Sequence, residues 1–107
     1  MCGRQVPRSD SLSHPARTLD VVPRLSAFYG IVIYIYWDDH NPPHYHATYG
    51  EHEAWIVIAT AEVLYGALPT RALRLVRTWH RLHRAELEAA WEKTQANQAP
   101  GTIEPLP

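Results

Sequence analysis

Apolar positions change their period once along this chain. From residue 24 to about residue 69 they recur every second residue, and beyond Pro69 they recur every three or four. The run "RLSAFYGIVIYIYW" (24–37) is β-branched and aromatic, with Ile31, Ile33, Ile35 and Trp37 alternating against Val32, Tyr34 and Tyr36. It predicts one strand kinked near Gly30, or two short ones. "HYHATYG" (44–50) and "EAWIVIA" (53–59) predict two more strands, and "EVLYGALP" (62–69) a shorter fourth strand or an extended arm. Connections this short favour an antiparallel meander.

The run "TRALRLVRTWHRLHRAELEAAWEKTQAN" contains no Gly or Pro and predicts helix, with Pro69 at its first position. On a 100° wheel, Ala72, Leu75, Val76, Trp79, His83, Leu87 and Ala90 share one face, with Leu82 at the margin. His83 and Glu86 sit inside that stripe, three residues apart. Either they form a buried polar pair, or the helix bends near His83 and a second one begins. In the closing "NQAPGTIEPLP", the segment "TIEPL" is expected to add an edge strand or to dock on a partner. The expected fold is therefore α+β: a small antiparallel sheet of three to four strands packed against one long or two short carboxy-terminal helices. Residues 1–20 carry neither period and are rich in Pro, Ser, Arg and Gly. The reading is a disordered or extension tail over 1–21 and a single domain over 22–107.

Composition narrows this picture. A chain of 107 residues, 46% apolar and 20% charged, is globular, and its small core favours a partner subunit such as a second copy in a homodimer. The net charge of −1 excludes polyanion binding by bulk charge, so a nucleic-acid case must rest on local clustering. The single Cys2 excludes an intramolecular disulfide and a Cys-rich zinc framework. No apolar stretch approaches a membrane span, and the first residues lack an apolar signal core. Cytoplasmic placement with no membrane contact is the expectation.

The compositional oddity is seven His, three of them in "WDDHNPPHYHA" (37–47). Pro42-Pro43 stiffens that connection, and His44 and His46 leave it on the same face of their strand. Acid/base catalysis needs one neutral imidazole held by a carboxylate, which Asp38 or Asp39 can supply. The candidate catalytic set is His44, His46 and Asp39. A metal site needs three convergent ligands, and His40, His44 and His46 are the candidates for one divalent ion such as zinc; the catalytic reading needs no cofactor. The competing reading is structural: Asp caps the turn and the rings pack on an aromatic sheet. Packing histidines should be buried, and site histidines partly exposed in a cleft.

Two further patterns bear on function. Arg71, Arg74, Arg77, Arg81 and Arg84 fall opposite the apolar stripe, half of the ten basic residues on one face. Such a face contacts phosphate or an acidic partner, or is merely solvated; Arg74, Arg77, Arg81 and Arg84 are the candidate binding residues. Tyr34, Tyr36, Tyr45, Tyr49 and Trp55 can form a platform that stacks bases, or equally a core or dimer contact. There is no P-loop, no dinucleotide glycine pattern and no G-x-S-x-G elbow.

From about residue 22 the chain resembles a bacterial family labelled domain of unknown function 4160. The resemblance rests on "FYGIVIYIYWDDHNPPHYHATYGEHEAWI", on "LPTRALRLVRTWHRLHRAEL" with the following Trp91, and on "IEPLP". Family members begin just before a strand equivalent to "VVPRLSAFYG", which makes residues 1–21 an extension. Genes of this family often neighbour genes of another, domain of unknown function 2442. The resemblance thus implies a component of a two-gene, toxin–antitoxin-type module. Small toxins of such modules often cleave RNA with a His or Arg on a compact α+β scaffold, and in that reading His44 and His46 are the acid/base pair while Arg74, Arg77, Arg81 or Arg84 hold phosphate. Two alternatives stand beside that ribonuclease-like reading: a non-catalytic module that docks the neighbouring gene's product, and a His-ligated metal protein.

Deleting residues 1–20 is expected to leave the thermal midpoint nearly unchanged. A fall of more than about 4–8 °C, the shift for roughly 1 kcal/mol in a domain this size, would make them part of the fold.

Overall fold

The computed structural model describes residues 22–37 and 39–107. The tail reading for residues 1–21 and the proposed role of Asp38 lie outside the described residues. Five strands follow one another: β1 (Arg24–Phe28), β2 (Ile31–Tyr34), β3 (His44–Tyr49), β4 (His52–Val57) and β5 (Val63–Ala67). Helices α1 (Thr70–Leu82) and α2 (Arg84–Gln95) come after them. Each strand pairs antiparallel with the next, in the order β1-β2-β3-β4-β5. The architecture is the α+β meander expected, with five strands rather than three or four.

The extra strand comes from Gly30. Tyr29 and Gly30 both adopt positive φ, 50° and 81°, which closes a two-residue hairpin between β1 and β2. The apolar run at 24–37 is therefore two strands folded back on each other. At the far edge, Gly66 has φ 79° within β5, and a Cβ there would lie 2.1 Å from the Glu53 carbonyl oxygen. Only glycine lets β5 approach β4 this closely.

Register assigns the two faces of the sheet. Ile33 pairs with Ala47 and Ala47 with Ala54, while Tyr45 pairs with Ile56; all are fully buried. These side chains meet Ala72, Val76 and Trp79 of α1 and Leu87 and Ala90 of α2 in one core. Tyr34, His46, Trp55 and Tyr65 form a row across four strands on the opposite face. The predicted tyrosine platform is thereby divided, with Tyr45 in the core and Tyr34 and Trp55 flanking His46 on the other face.

The helical run breaks at His83, whose backbone (φ −127°, ψ 25°) ends α1 and precedes α2. The His83–Glu86 pair forms as well, Nδ1 to Oε1, but at the half-exposed surface. Such a pair is worth about 0–1 kcal/mol, so it marks the break rather than holding the fold. Leu82 is exposed. The carboxy-terminal segment docks on its own chain: the Ile103 amide donates to the Leu25 carbonyl at 2.7 Å, and Trp79 Nε1 donates to the Glu104 carbonyl at 2.8 Å.

One buried polar chain ties helix to sheet. The Nε2–H of His80 donates to the Ile58 carbonyl at 2.9 Å, which leaves Nδ1 to accept from the Tyr45 hydroxyl at 2.8 Å. A carbonyl can only accept, so the neutral ring satisfies both contacts. Burial first, then the Arg84 and Arg77 charges, hold the His80 pKa below its ordinary 6.5 against the pull of the Ile58 carbonyl. Below pH 6.5 the unfolded chain gains a proton at this position that the folded ring resists. This contribution to stability is therefore full above pH 6.5 and is lost as pH falls toward the folded value. NMR titration of His80 is expected to give a midpoint below 6.5. His80→Ala is expected to cost roughly 1–3 kcal/mol for each buried partner left unpaired, measured by chemical denaturation.

Candidate functional site

The link between β2 and β3 carries Asp39 to the sheet face opposite Tyr45. Pro42 and Pro43 lead the chain into β3, and the Asn41–Pro42 peptide is cis. The Ile58 amide donates to the Pro43 carbonyl at 3.0 Å and fixes the turn against the end of β4. The period of two then turns His44 and His46 to one side, with Tyr45 between them facing the core.

Asp39 Oδ2 lies 3.1 Å from His44 Nε2 and 3.1 Å from His46 Nε2. The far edge of each ring has its own acceptor. His44 Nδ1 donates to the Pro42 carbonyl at 2.7 Å, and His46 Nδ1 donates to Glu53 Oε2 at 3.1 Å. Trp55 Nε1 donates to the same Glu53 oxygen at 3.0 Å. From α2, the Gln95 amide donates to the Asp39 backbone carbonyl at 3.1 Å. Aromatic rings wall the cluster: Tyr36 stacks on His46 at 4.1 Å between centroids, Trp55 on His44 at 5.5 Å, and Trp91 leans on His44 at 5.7 Å.

Electrostatics follow from this crowding. Burial opposes ionisation of Asp39, but the combined pull of the His44 and His46 rings and the His40 amide holds its carboxyl well below the usual carboxylate range. Burial likewise works against a charged His44 ring, yet the Asp39 carboxylate and the Pro42 carbonyl raise its proton affinity. For Tyr36, burial and the nearby Glu53 and Asp39 charges push the phenol up. The 3.1 Å approach of His44 Nε2 to Asp39 does not meet hydrogen-bond direction, so this buried nitrogen has no hydrogen-bond partner among the described residues.

The structure brings together the catalytic candidates His44, His46 and Asp39. Both rings are buried, at 0% and 4% exposure, as the structural reading requires of packing histidines. Their polar edges nonetheless converge on one carboxylate oxygen. Of the metal candidates, His40 stands apart: its ring is 74% exposed and faces the other Asp39 oxygen, Oδ1, at 3.3 Å. The three donors within 4.8 Å of one another are those of Asp39, His44 and His46.

The arginine row is divided. Arg74, Arg77 and Arg81 line one open groove with Thr70, Leu73 and Thr78. Arg71 lines a separate cleft with Tyr29 and Tyr49, and Arg84, beyond the helix break, pairs with Glu88 at 3.3 Å. Helix α1 packs on the Tyr45 side of the sheet, and the histidine pair points from the other side. The arginine groove and the histidine pair do not share a site.

Residue-by-residue reading missed Glu53, Trp91, Gln95 and His80. For His80 the signal was present, since it lies four residues after Val76 and eight after Ala72 on the apolar stripe. For Glu53 it was the two-residue turn Gly50-Glu51, which pairs Tyr49 with His52 and so places Glu53 opposite Thr48, diagonal to His46 on the same face. No local pattern announces Trp91 or Gln95.

These features define a class: a small α+β protein with α1 packed on one sheet face and a carboxylate–bis-histidine cluster, touched by the end of α2, on the other. The chain belongs to the family described as domain of unknown function (DUF4160), whose model matches residues 30–92, more than half of the sequence. The matched span runs from the β1–β2 turn into α2 and contains the cluster, Glu53 and the arginine row. No curated protein and no solved structure matches the chain. Among the described residues, no helix is long and apolar enough to cross a membrane.

Replacing His44 by Ala is expected to lower stability by roughly 1–3 kcal/mol, because it opens a buried space and strands the Pro42 carbonyl. His40→Ala, on an exposed ring, should stay within about ±0.5 kcal/mol. Equilibrium denaturation of the two variants checks the contrast.

Proposed function

We propose that this protein is a small cytoplasmic RNA-binding component of a two-gene module, and that it holds phosphates in the α1 groove. The observation that carries the reading is the set of guanidinium groups from Arg74, Arg77 and Arg81 along one open groove. Arg74 and Arg81 have no carboxylate partner among the described residues. Arg77 is anchored, its Nε donating to the Ala61 carbonyl at 3.0 Å. The first turn of α1 carries no acidic residue, which leaves the local field positive. A row kept only for solubility would be interspersed with Glu. Cleavage by His44 and His46 is not part of the reading, because their nitrogens are buried on the other side of the sheet.

A short single-stranded RNA, followed by fluorescence anisotropy, provides the test. Affinity should fall as salt rises, and Arg74→Ala with Arg81→Ala should flatten the log–log slope by roughly 1.4, about 0.7 for each lost phosphate contact. Both substitutions are on solvent-facing positions, so folding is expected to survive. No binding at low salt, or an unchanged slope in the double variant, overturns RNA as the partner. The double variant's loss of binding to the neighbouring gene's product of the domain of unknown function 2442 type would then assign the groove to a protein.

A further inference from the structure

The hydrogen-bond pattern around the histidine pair leaves one question open in the geometry. A backbone carbonyl only accepts, so His44 Nδ1, at 2.7 Å from the Pro42 carbonyl, carries a proton. His46 lies between two carboxylates, with Nδ1 3.1 Å from Glu53 Oε2 and Nε2 3.1 Å from Asp39 Oδ2, and a neutral ring donates to only one of them. With the His46 proton donated to Glu53, both neutral rings turn a lone pair on Nε2 toward Asp39 Oδ2, each at 3.1 Å. Three electron-rich atoms converge on one point. Such a group is stable only with positive charge among its members.

We infer that Asp39 Oδ2, His44 Nε2 and His46 Nε2 bind one divalent transition-metal ion of the zinc type. Several independent features carry this. Ligand atoms about 2.0–2.1 Å from a tetrahedral ion are separated by about 3.3 Å; Asp39 Oδ2 lies 3.1 Å from each imidazole nitrogen, and all three atoms lie within 4.8 Å of one another. His44 Nε2 is fully buried and without a hydrogen-bond partner among the described residues, as a nitrogen reserved for a cation would be. Both rings have the outer partner that metal-bound histidines use to fix tautomer and orientation: a backbone carbonyl for His44, a carboxylate for His46. Glu53 is itself oriented by Trp55 Nε1, and the Asp39 backbone by Gln95. The donor set is two imidazoles and a carboxylate, which suits zinc and its neighbours and not calcium or magnesium. Three protein ligands leave a fourth position for water or a ligand atom. The site concerns the face opposite the arginine groove and does not depend on RNA binding.

The test uses the full chain purified without a His tag, stripped with chelator and titrated with Zn(II) alone. Calorimetry and elemental analysis should find close to one ion per chain, and Asp39→Asn should weaken binding by at least tenfold. Glu53→Gln keeps all three ligands and removes the outer carboxylate, so a loss of 10- to 100-fold is expected there. Exposed His40 and His52 can bind zinc weakly, so Co(II) supplies a readout in the unaltered protein. The ring signals of His44 and His46 should be shifted or broadened by the paramagnetic ion in one-to-one proportion. Failure of the wild-type chain to take up Zn(II), or uptake that leaves those two rings unmoved, overturns the inference. Uptake that persists undiminished in Asp39→Asn overturns it as well.

Discussion

Strand β3 is the constraint on which the rest depends. It is the centre of the sheet, hydrogen-bonded to β2 on one side and β4 on the other. Its side chains alternate between two environments that tolerate no exchange. Tyr45 and Ala47 enter the core, where Tyr45 meets Trp79 and bonds His80. His44 and His46 enter the polar cluster on the other face. A slip of one residue would put two imidazoles into the apolar core and a tyrosine beside Asp39. Burying an unpaired imidazole or phenol costs roughly 1–3 kcal/mol each, a large share of the stability of a domain this size. The register is therefore fixed from both faces at once.

The two polar groups that bracket β3 differ in kind. The Tyr45–His80–Ile58 chain is complete: each buried donor has an acceptor, and the neutral ring is the form that fits. It fixes α1 on the sheet by direction, which apolar contact alone does not give. The Asp39–His44–His46 group is incomplete by the same accounting, because His44 Nε2 is buried without a hydrogen bond among the described residues. A protein of about a hundred residues has few means to offset such a group. Here the outer acceptors, the stacked rings of Tyr36 and Trp55, and the Gln95 tether all hold the cluster in place. These contacts hold a buried and incompletely paired cluster in one geometry.

The separation of the arginine groove from the histidine cluster also follows from simple geometry. Helix α1 must lay its apolar stripe on the Tyr45 face, so its arginines point away from the sheet. Histidines on the same strand as Tyr45, one residue to either side, must point through the sheet the other way. One phosphate cannot be held by the first set and attacked through the second. The break at His83 removes Arg84 from the row by turning α2 on a new axis, where Glu88 takes its charge.

Much of this was legible from periodicity and turn residues. The change from period two to period 3.6 at Pro69 marked the boundary between sheet and helices, and short connections implied the meander. Asp39, His44 and His46 could be nominated together because a stiff turn and a strand's alternation are local properties. What sequence alone could not supply was the identity of the third partner on each ring. Glu53 reaches His46 only through cross-strand register, and Trp91 and Gln95 reach the cluster only because α2 packs back past the end of β3. His40 looked equivalent to its neighbours in the chain, yet its ring is in solvent while Asp39 turns inward. Local spacing determines which side chains share a face. Which of them meet is decided by long-range packing, because distances between elements are set by the core they close and not by their separation along the chain.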